Sequence, residues 1–210
     1  MEKFIESLNW RYATKKFDTD KKVSESDVND LIESLRLAPS SFGLQPWKFI
    51  VVTDRKIREQ LKEHAYNQAQ ITDASHLIVL CVRTDVDEAH VDKFVESIAK
   101  TRGVSKESLN DYAQIMTGSV KSRSEHHVTE WSRRQVYIAL GFLIFAASMK
   151  RIDSCPMEGF DSAKFDEILG LKKENLSSVV LCPVGYRSKD DGYAQAKKVR
   201  FSKNDVIGFR

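Results

Sequence analysis

The sequence has few cysteines, and this shortage excludes one class of protein at once. Three cysteines occur in 210 residues, an odd number at distant positions, so a disulfide framework like that of small secreted domains is excluded. Cys81 and Cys182 stand inside apolar runs, where a thiol behaves as a small hydrophobe. The first residues, MEKFIESLNW, carry two glutamates and no apolar segment typical of a signal peptide. We therefore expect reduced thiols in a cytoplasmic protein.

Glycine-rich phosphate motifs and long hydrophobic runs are also missing. The nine glycines form neither G-x-G-x-x-G nor G-x-x-x-x-G-K-[ST], which argues against a Rossmann dehydrogenase and a P-loop NTPase. The longest apolar run covers residues 136–149. It is shorter than the roughly 20 residues of a bilayer span and has charged residues on both sides, so a buried helix is favoured over a membrane segment.

Neither sign of charge dominates. The 33 Lys and Arg residues are spread among 30 Asp and Glu residues, and the net charge is +3. Proteins that bind nucleic acid or membrane surfaces usually concentrate basic residues on one element. We therefore expect neither as a partner.

Metal and nucleophile motifs are not evident. The five histidines lack the spacing of a metal site, so we expect no metal. Cys155, which precedes Pro156, is the candidate cysteine nucleophile. Nothing marks a histidine to pair with it, so a structural thiol is the favoured interpretation.

The hydrophobic pattern predicts alternating helices and strands in one α+β domain that covers residues 1–210. A capping box at Ser24 and Asp27 should start the helix before Pro39, and Gly170 should stop the helix capped by Asp161. The segments 49–53, 76–85 and 176–187 read as strands.

Two helical regions need separate mention. The pattern weakens in residues 101–125, which suit either a surface helical excursion or a mobile lid. The longest helix should cover residues 128–149, and because its second half is apolar all round, we expect it to be covered on every side, partly by another subunit.

Basic and hydroxyl side chains recur at three places. Arg11 and Lys15 share one face of a helical turn, and Lys198 and Arg200 point the same way in an extended chain. The loop at Ser40-Ser41 adds hydroxyls. Such groups together suit a phosphate monoester, although a solvated charged face explains each pair separately.

Six motifs, in order, resemble one known family. They are RYATKKF, APSSFGLQPWKFIVV, YNQAQITDASHLIVL, EWSRRQVYIALGFLIFAA, PMEGFD and KKVRF, which together cover nearly the whole chain. They are similar to the FMN-dependent nitroreductases, in the branch of oxygen-insensitive NAD(P)H nitroreductases and related dihydropteridine or quinone reductases. The resemblance implies a nitroreductase-like α+β fold, with a central, mostly antiparallel sheet flanked by helices, in an intertwined homodimer with one FMN at each of two interface sites.

The resemblance also implies which residues contact FMN. Arg11, Lys198 and Arg200 would hold the phosphate, and Lys15 would lie near N1 and the C2 carbonyl of the ring. The remaining contacts would be made to the ribityl chain, the pyrimidine edge, N5 and O4, partly by a loop from the other subunit. The residues that would make them are Tyr12, Ala13, Asn67, Gln70, the amides of Glu158 and Gly159, and the loop residues Pro39, Ser40 and Ser41.

Two positions depart from the family pattern. Ala13 stands where relatives often have Ser, and Gln70 stands where one branch has Lys. The first loses a hydroxyl contact and the second weakens the positive field near the pyrimidine. Gln45-Pro46-Trp47 is expected to fix the serine loop rather than to perform chemistry.

The implied activity is a ping-pong, two-electron hydride transfer from NADH or NADPH to a nitroaromatic, a quinone or a related electron-poor acceptor. No catalytic side chain is implied, because the cofactor carries the difficult step. Three alternatives stay open: a dihydropteridine, flavin or enone reductase on the same fold, a non-catalytic FMN-binding or redox-sensing protein, and a thiol enzyme that depends on Cys155.

Overall fold

The computed structural model describes residues 2–210. Within this range the strands are β1 (Trp47–Val52), β2 (His76–Arg83), β3 (Asp153–Ser154) and β4 (Leu176–Gly185). The helices are α1 (Glu2–Trp10), α2 (Glu25–Arg36), α3 (Arg55–Glu63), α4 (Gln70–Asp73), α5 (Glu88–Arg102), α6 (Asn110–Lys121), α7 (Glu125–Met149), α8 (Ser162–Ile168) and α9 (Lys203–Val206). Short 3-10 turns lie at Ser41–Gly43, Glu107–Leu109, Leu171–Glu174 and Gly192–Gln195.

The four strands form one antiparallel sheet in the order β1-β2-β4-β3. Strand β2 lies in the middle, and Val79 faces Ile50 on one side and Leu181 on the other. Because successive side chains of a strand point to opposite faces, β2 contributes to two separate cores. Ile78 packs in the core under α2 and α7, and Leu77 packs in the core under α3 and α8. Helices on both faces explain why β2 is a continuous apolar run.

The predicted helix starts and stops are found with one difference. The Ser24 hydroxyl accepts a hydrogen bond from the amide of Asp27 at 3.1 Å, as expected of an N-cap. The Asp27 carboxylate, however, accepts from the Ser24 hydroxyl at 2.8 Å instead of reaching back to the backbone. Asp161 caps α8, and Gly170 follows that helix with φ +66°, a conformation that glycine adopts at little cost.

Residues 101–125 are helical in large part. Helix α5 ends at Arg102, and α6 covers Asn110–Lys121. Met116 and Val120 of α6 pack against Val95 of α5 in a third core. Of the two expectations for this region, the structure has the helical excursion.

Helix α7 is buried on one side and open on the other. Its inner face packs against α2, α1 and β2, and Val136 and Leu143 are fully buried there. Its outer face leaves Tyr137, Ile138 and Phe142 exposed, the last at 44%. One chain therefore covers one side of α7, and the expected cover by another subunit stays a prediction. None of the helices in the described range is both long and apolar enough to cross a membrane.

Candidate functional site

A cavity of about 540 Å³ lies between the two ends of the chain. One wall is the segment from Asn9 to Lys15, which follows α1, and the other comes from Arg187 and residues 193–200. Six of the residues expected to contact the cofactor line it together, namely Arg11, Tyr12, Ala13, Lys15, Lys198 and Arg200. The fold thus joins two basic motifs that are nearly 200 residues apart in the sequence.

Backbone hydrogen bonds hold the first wall in place. The amide of Thr14 donates to the carbonyl of Ser154 in β3 at 3.4 Å, and the amide of Asp18 donates to the carbonyl of Tyr186 at 2.8 Å. In the opposite direction, the amide of Ser188 donates a hydrogen bond to the Lys16 carbonyl at 2.9 Å. The segment after α1 therefore runs beside the end of the sheet, where β3 and β4 stop.

Three cations meet in this cavity without a carboxylate partner among the described residues. Burial, followed by repulsion from Arg200, lowers the pKa of Arg11. Burial, followed by repulsion from Arg11 and Arg200, lowers the pKa of Lys198. The Arg11 Nε is buried and has no hydrogen-bond partner in the described chain. Uncompensated like charges and an unpaired buried donor fit a site for a dianionic phosphate.

Arg187 also lines the cavity, but its charge is already matched. Its Nη2 lies 2.6 Å from Oδ1 of Asp153, which is buried. Its guanidinium stacks on two rings, 4.2 Å from the centroid of Trp10 and 4.6 Å from that of Tyr12. Sequence reasoning missed Arg187, because its position beside the cavity depends on pairing between β3 and β4.

The serine loop lies outside this cavity lining. The Ser40 hydroxyl accepts from the amide of Gln45 at 2.9 Å, and the amide of Ser41 donates to Oε1 of Gln135 in α7 at 2.9 Å. Pro39 is exposed. The sequence expectation assigned Pro39, Ser40 and Ser41 to the cofactor of a second subunit, and one chain alone does not bring them to Arg11.

The same loop is held rigidly by the helices over it. Phe42, Gly43 and Gln45 all have positive φ, at 57°, 77° and 47°. The Leu44 carbonyl lies 2.7 Å from Nε2 of His90, on α5. Helix α6 adds a further contact to the Phe42 carbonyl, a hydrogen bond of 3.1 Å from the hydroxyl of Tyr112. The excursion of α5 and α6 therefore packs on the loop.

Apart from Lys15, the residues expected at the flavin ring fall into a second group. The Gln68 Nε2 donates to the Gly159 carbonyl at 3.0 Å, which joins the loop of Asn67 to the loop of Glu158 and Gly159. Asn67 is exposed with φ 54°, whereas Gln70 is buried at the start of α4. Sequence reasoning missed Gln68, which had no distinguishing local pattern.

Buried Arg58 fixes the position of α4. Its guanidinium donates to the carbonyls of Ile71 at 2.6 Å, Ala74 at 2.6 Å and Ser75 at 3.1 Å. These are carbonyls at and just beyond the end of α4, where helices leave acceptors without partners. The segment with Asn67 and Gln70 is therefore held against the sheet.

The three cysteines are free and buried. Cys155 is 2% exposed, and burial raises the pKa of its thiol. Since the thiolate is the reactive form, this environment opposes nucleophilic chemistry at Cys155.

Comparison with known proteins shows the family and the fold of this chain. A model of the nitroreductase family matches residues 8–186. A Staphylococcus haemolyticus protein named as an NAD(P)H nitroreductase is 36% identical over 214 residues, which cover 98% of this chain and 96% of that protein. A nitroreductase family protein from Streptococcus pneumoniae TIGR4 has a similar structure, with a TM-score of 0.84 and 28% identity over 99% of this chain and 100% of that one.

A nitroreductase of Exiguobacterium sibiricum, solved in complex with FMN, shares the fold with a TM-score of 0.85. It is 22% identical, over 99% of this chain and 97% of that chain. The family is one of oxidoreductases that use FMN with an NAD(P)H donor, so the predicted cofactor pair is confirmed at the level of the family. The predicted α+β fold is confirmed as well, while the roles of individual residues stay predictions. Because the family model spans most of its length and a relative matches nearly end to end, the chain belongs to the nitroreductase family.

Proposed function

We propose that this protein is an FMN-dependent NAD(P)H oxidoreductase, formed by a single domain, that reduces nitroaromatics, quinones or related electron-poor acceptors. The observation that supports it most is the set of three cations, Arg11, Lys198 and Arg200, around one cavity. When bound, FMN supplies two-electron hydride transfer, first with the nicotinamide and then with the acceptor. The side chains of this protein bind and orient; none is assigned a catalytic role.

At the phosphate end, the cations would contribute in different ways that depend on their positions. Arg11 offers a buried Nε without a partner, which suits a charge-assisted hydrogen bond to a phosphate oxygen. The Lys198 ammonium donates to the Arg11 carbonyl, so the two walls are tied together where the phosphate would sit. Tyr12 and Ala13 line the same cavity and would contact the adjoining ribityl chain.

At the ring end, the proposal places Lys15 beside N1 and the C2 carbonyl. Its side chain is exposed and lines the cavity, and an ammonium there stabilises negative charge on the pyrimidine. Asn67 and Gln70 would hydrogen-bond the pyrimidine edge. The amides of Glu158 and Gly159 would donate to N5 and O4, since neither amide donates to another backbone carbonyl in the described chain.

We further propose a homodimer in which Pro39, Ser40 and Ser41 reach the cofactor of the partner. Support comes from apolar surface that one chain leaves open: Phe142 and its neighbours on α7, and a C-terminal tail in which Phe201 is 84% and Phe209 is 86% exposed. Large apolar side chains left exposed in this number are typical of protein interfaces. Free, buried thiols suit a reducing compartment, and we propose the cytoplasm.

The test is a visible absorption spectrum of the purified protein, before and after anaerobic addition of NADPH or NADH. We expect a flavin spectrum that bleaches with one of the two donors and returns when a nitroaromatic or quinone is added. Persistent colour with both donors would instead indicate an FMN-binding or redox-sensing protein. Turnover with a dihydropteridine, a free flavin or an enone but not with nitroaromatics and quinones would move the assignment to another reductase of this fold. A colourless protein that does not bind added FMN would refute the proposal.

A further inference from the structure

Asp191 is a buried carboxylate at the junction of the two cavity walls. It is 2% exposed. Its Oδ2 accepts three hydrogen bonds, from the Tyr12 hydroxyl at 2.9 Å, the Lys15 amide at 2.8 Å and the Lys16 amide at 3.1 Å. Its Oδ1 accepts a fourth, from the Tyr193 amide at 3.1 Å. Every donor is neutral, so Asp191 holds main chain and a phenol rather than an opposite charge.

These bonds join segments 176 residues apart. On one side they fix the chain from Tyr12 to Lys16, which carries Lys15 and follows directly on Arg11. On the other side they start the 3-10 turn Gly192–Gln195, from which the chain runs to Lys198 and Arg200. One side chain, which does not itself line the cavity, therefore joins the segments that carry the cations of both walls.

The ionised state of Asp191 is favoured by these donors. Burial raises the pKa of its carboxyl, but the amides of Lys16 and Lys15, the Tyr12 hydroxyl and the Tyr193 amide lower it, and the net pKa lies below the usual value. A carboxylate accepts hydrogen bonds at both oxygens, and the four donors around Asp191 require acceptors at both. An asparagine of the same shape would present an NH₂ group to some of them.

We propose that Asp191 is a positioning residue for the cofactor phosphate: it holds the backbone of both cavity walls so that Arg11, Lys198 and Arg200 converge on one anion. This inference rests on the proposed function, because it concerns the same cavity. Asp191 acts through the main chain and touches neither phosphate nor ring.

The direction in which neutralisation of Asp191 changes phosphate affinity separates positioning from simple electrostatics. Asp191 carries a negative charge behind the walls of this cavity, and the loss of a negative charge does not weaken the attraction of an anion. Through-space electrostatics therefore predicts that its neutralisation leaves phosphate binding unchanged or strengthens it. Loss of positioning predicts the opposite, since the cations no longer converge. The two explanations cannot both hold for the same variant.

The experiment measures dissociation constants of the full chain, freed of flavin, for FMN and for riboflavin, which lacks the phosphate. For Asp191→Asn we expect FMN affinity to fall about tenfold while riboflavin affinity stays within about twofold. General loosening of the fold would weaken both ligands together, so the ratio of the two constants reports the phosphate site. Asp190→Asn is the matched control: Asp190 is exposed, loses the same charge, and should leave FMN affinity unchanged or slightly increased.

Tyr12→Phe is the second variant, in case Asp191→Asn does not fold. It removes one of the three donors to Oδ2 and keeps the ring that stacks on Arg187. We expect about a threefold loss of FMN affinity and a smaller loss for riboflavin, because the ribityl chain that Tyr12 would contact is common to both ligands. The inference is overturned if Asp191→Asn binds FMN as tightly as Asp190→Asn, or if it loses FMN and riboflavin equally. If Asp191→Asn does not fold, unchanged FMN affinity in Tyr12→Phe overturns it. Wild-type protein that binds no FMN would refute the proposed function itself, which is a different result.

Discussion

The Tyr137 hydroxyl donates a 2.5 Å hydrogen bond to the Glu158 carboxylate, and this bond joins the outer face of α7 to the loop that is proposed to face N5. Burial, together with the bond from the phenol to Glu158, raises the pKa of Tyr137 to about 12. The two residues are 21 positions apart, and no sequence motif couples them. The contact therefore makes α7 part of the candidate site as well as part of the candidate interface.

A first prediction follows from the raised pKa of that phenol. Folded protein retains the Tyr137 proton where unfolded chain has lost it, so the contribution to stability is complete below about pH 10 and is lost as the pH rises toward 12. An absorbance titration at alkaline pH should show one tyrosine with a pKa of about 12, absent in Tyr137→Phe. Glu158→Gln should bring the pKa of Tyr137 back toward the ordinary value of a tyrosine. A titration unchanged by Tyr137→Phe would contradict the assignment.

A second prediction concerns phosphate binding. Arg200→Ala should weaken FMN retention by about 1.5–3 kcal/mol, the range for a lost charge-assisted hydrogen bond, as measured by the dissociation constant for FMN. Arg210→Ala removes another exposed arginine from the tail and is the control, with no expected change. A variant at Arg200 that stays fully flavinated after extensive dialysis would show that its guanidinium does not hold the cofactor.

A third prediction concerns the ring end. Lys15→Met should lower the two-electron potential of the bound flavin by about 10–20 mV, the equivalent of an exposed ion pair of about 0.5–1 kcal/mol. Lys16→Met is the control, because Lys16 is equally exposed but does not line the cavity. Spectroelectrochemical titration gives both values. Equal shifts in the two variants would place Lys15 away from the ring.

A fourth prediction tests the homodimer. Phe142→Glu puts a charge in the centre of the open apolar face of α7, and burying that charge unpaired in an interface is costly. We expect size-exclusion chromatography with light scattering to show monomer for this variant and dimer for the wild type. Val104→Glu, at an exposed valine after α5, should remain dimeric. A Phe142→Glu protein with the wild-type mass would exclude this face as the interface.

A fifth prediction concerns the serine loop. Gly43 has φ +77°, and a Cβ there would lie 2.8 Å from the ring of Phe94. Gly43→Ala should cost about 1–2 kcal/mol for the backbone conformation and about 1–3 kcal/mol more for the crowding. Gly103→Ala isolates the first effect, because φ is +66° and nothing lies within 4 Å. Urea denaturation measures both, and equal losses would show that Phe94 moves away freely.

Local pattern was sufficient for the elements that are long and strongly apolar. Strands β2 and β4 were evident from their apolar runs, and α2 and α8 from their caps and periodicity. Strand β3 was not, because two residues carry no pattern and its existence depends on pairing with β4. The apolar pattern of α7 predicts that the helix is covered on every side, partly by another subunit, but it does not indicate which face one chain leaves open, and that face is the one with Phe142.

The residues of the candidate site also fall into those that the sequence predicts and those that it does not. Arg11, Lys198 and Arg200 were expected to meet, and they do. Asp191 and Arg187 were not anticipated: each lies in a polar stretch, and their roles depend on partners at Tyr12 and Asp153, which are far away in the sequence. Long-range hydrogen bonds of this kind leave no periodicity, so only the folded chain shows them.

The cavity has one wall from each end of the chain, and this arrangement has a consequence for biosynthesis. Arg11 and Lys15 are synthesised long before Lys198 and Arg200, which stand nearly 190 positions later and would complete the proposed phosphate site. On the proposed function, FMN can be held only after Arg200 has been synthesised, and a product that ends before Lys198 would accumulate as apoprotein.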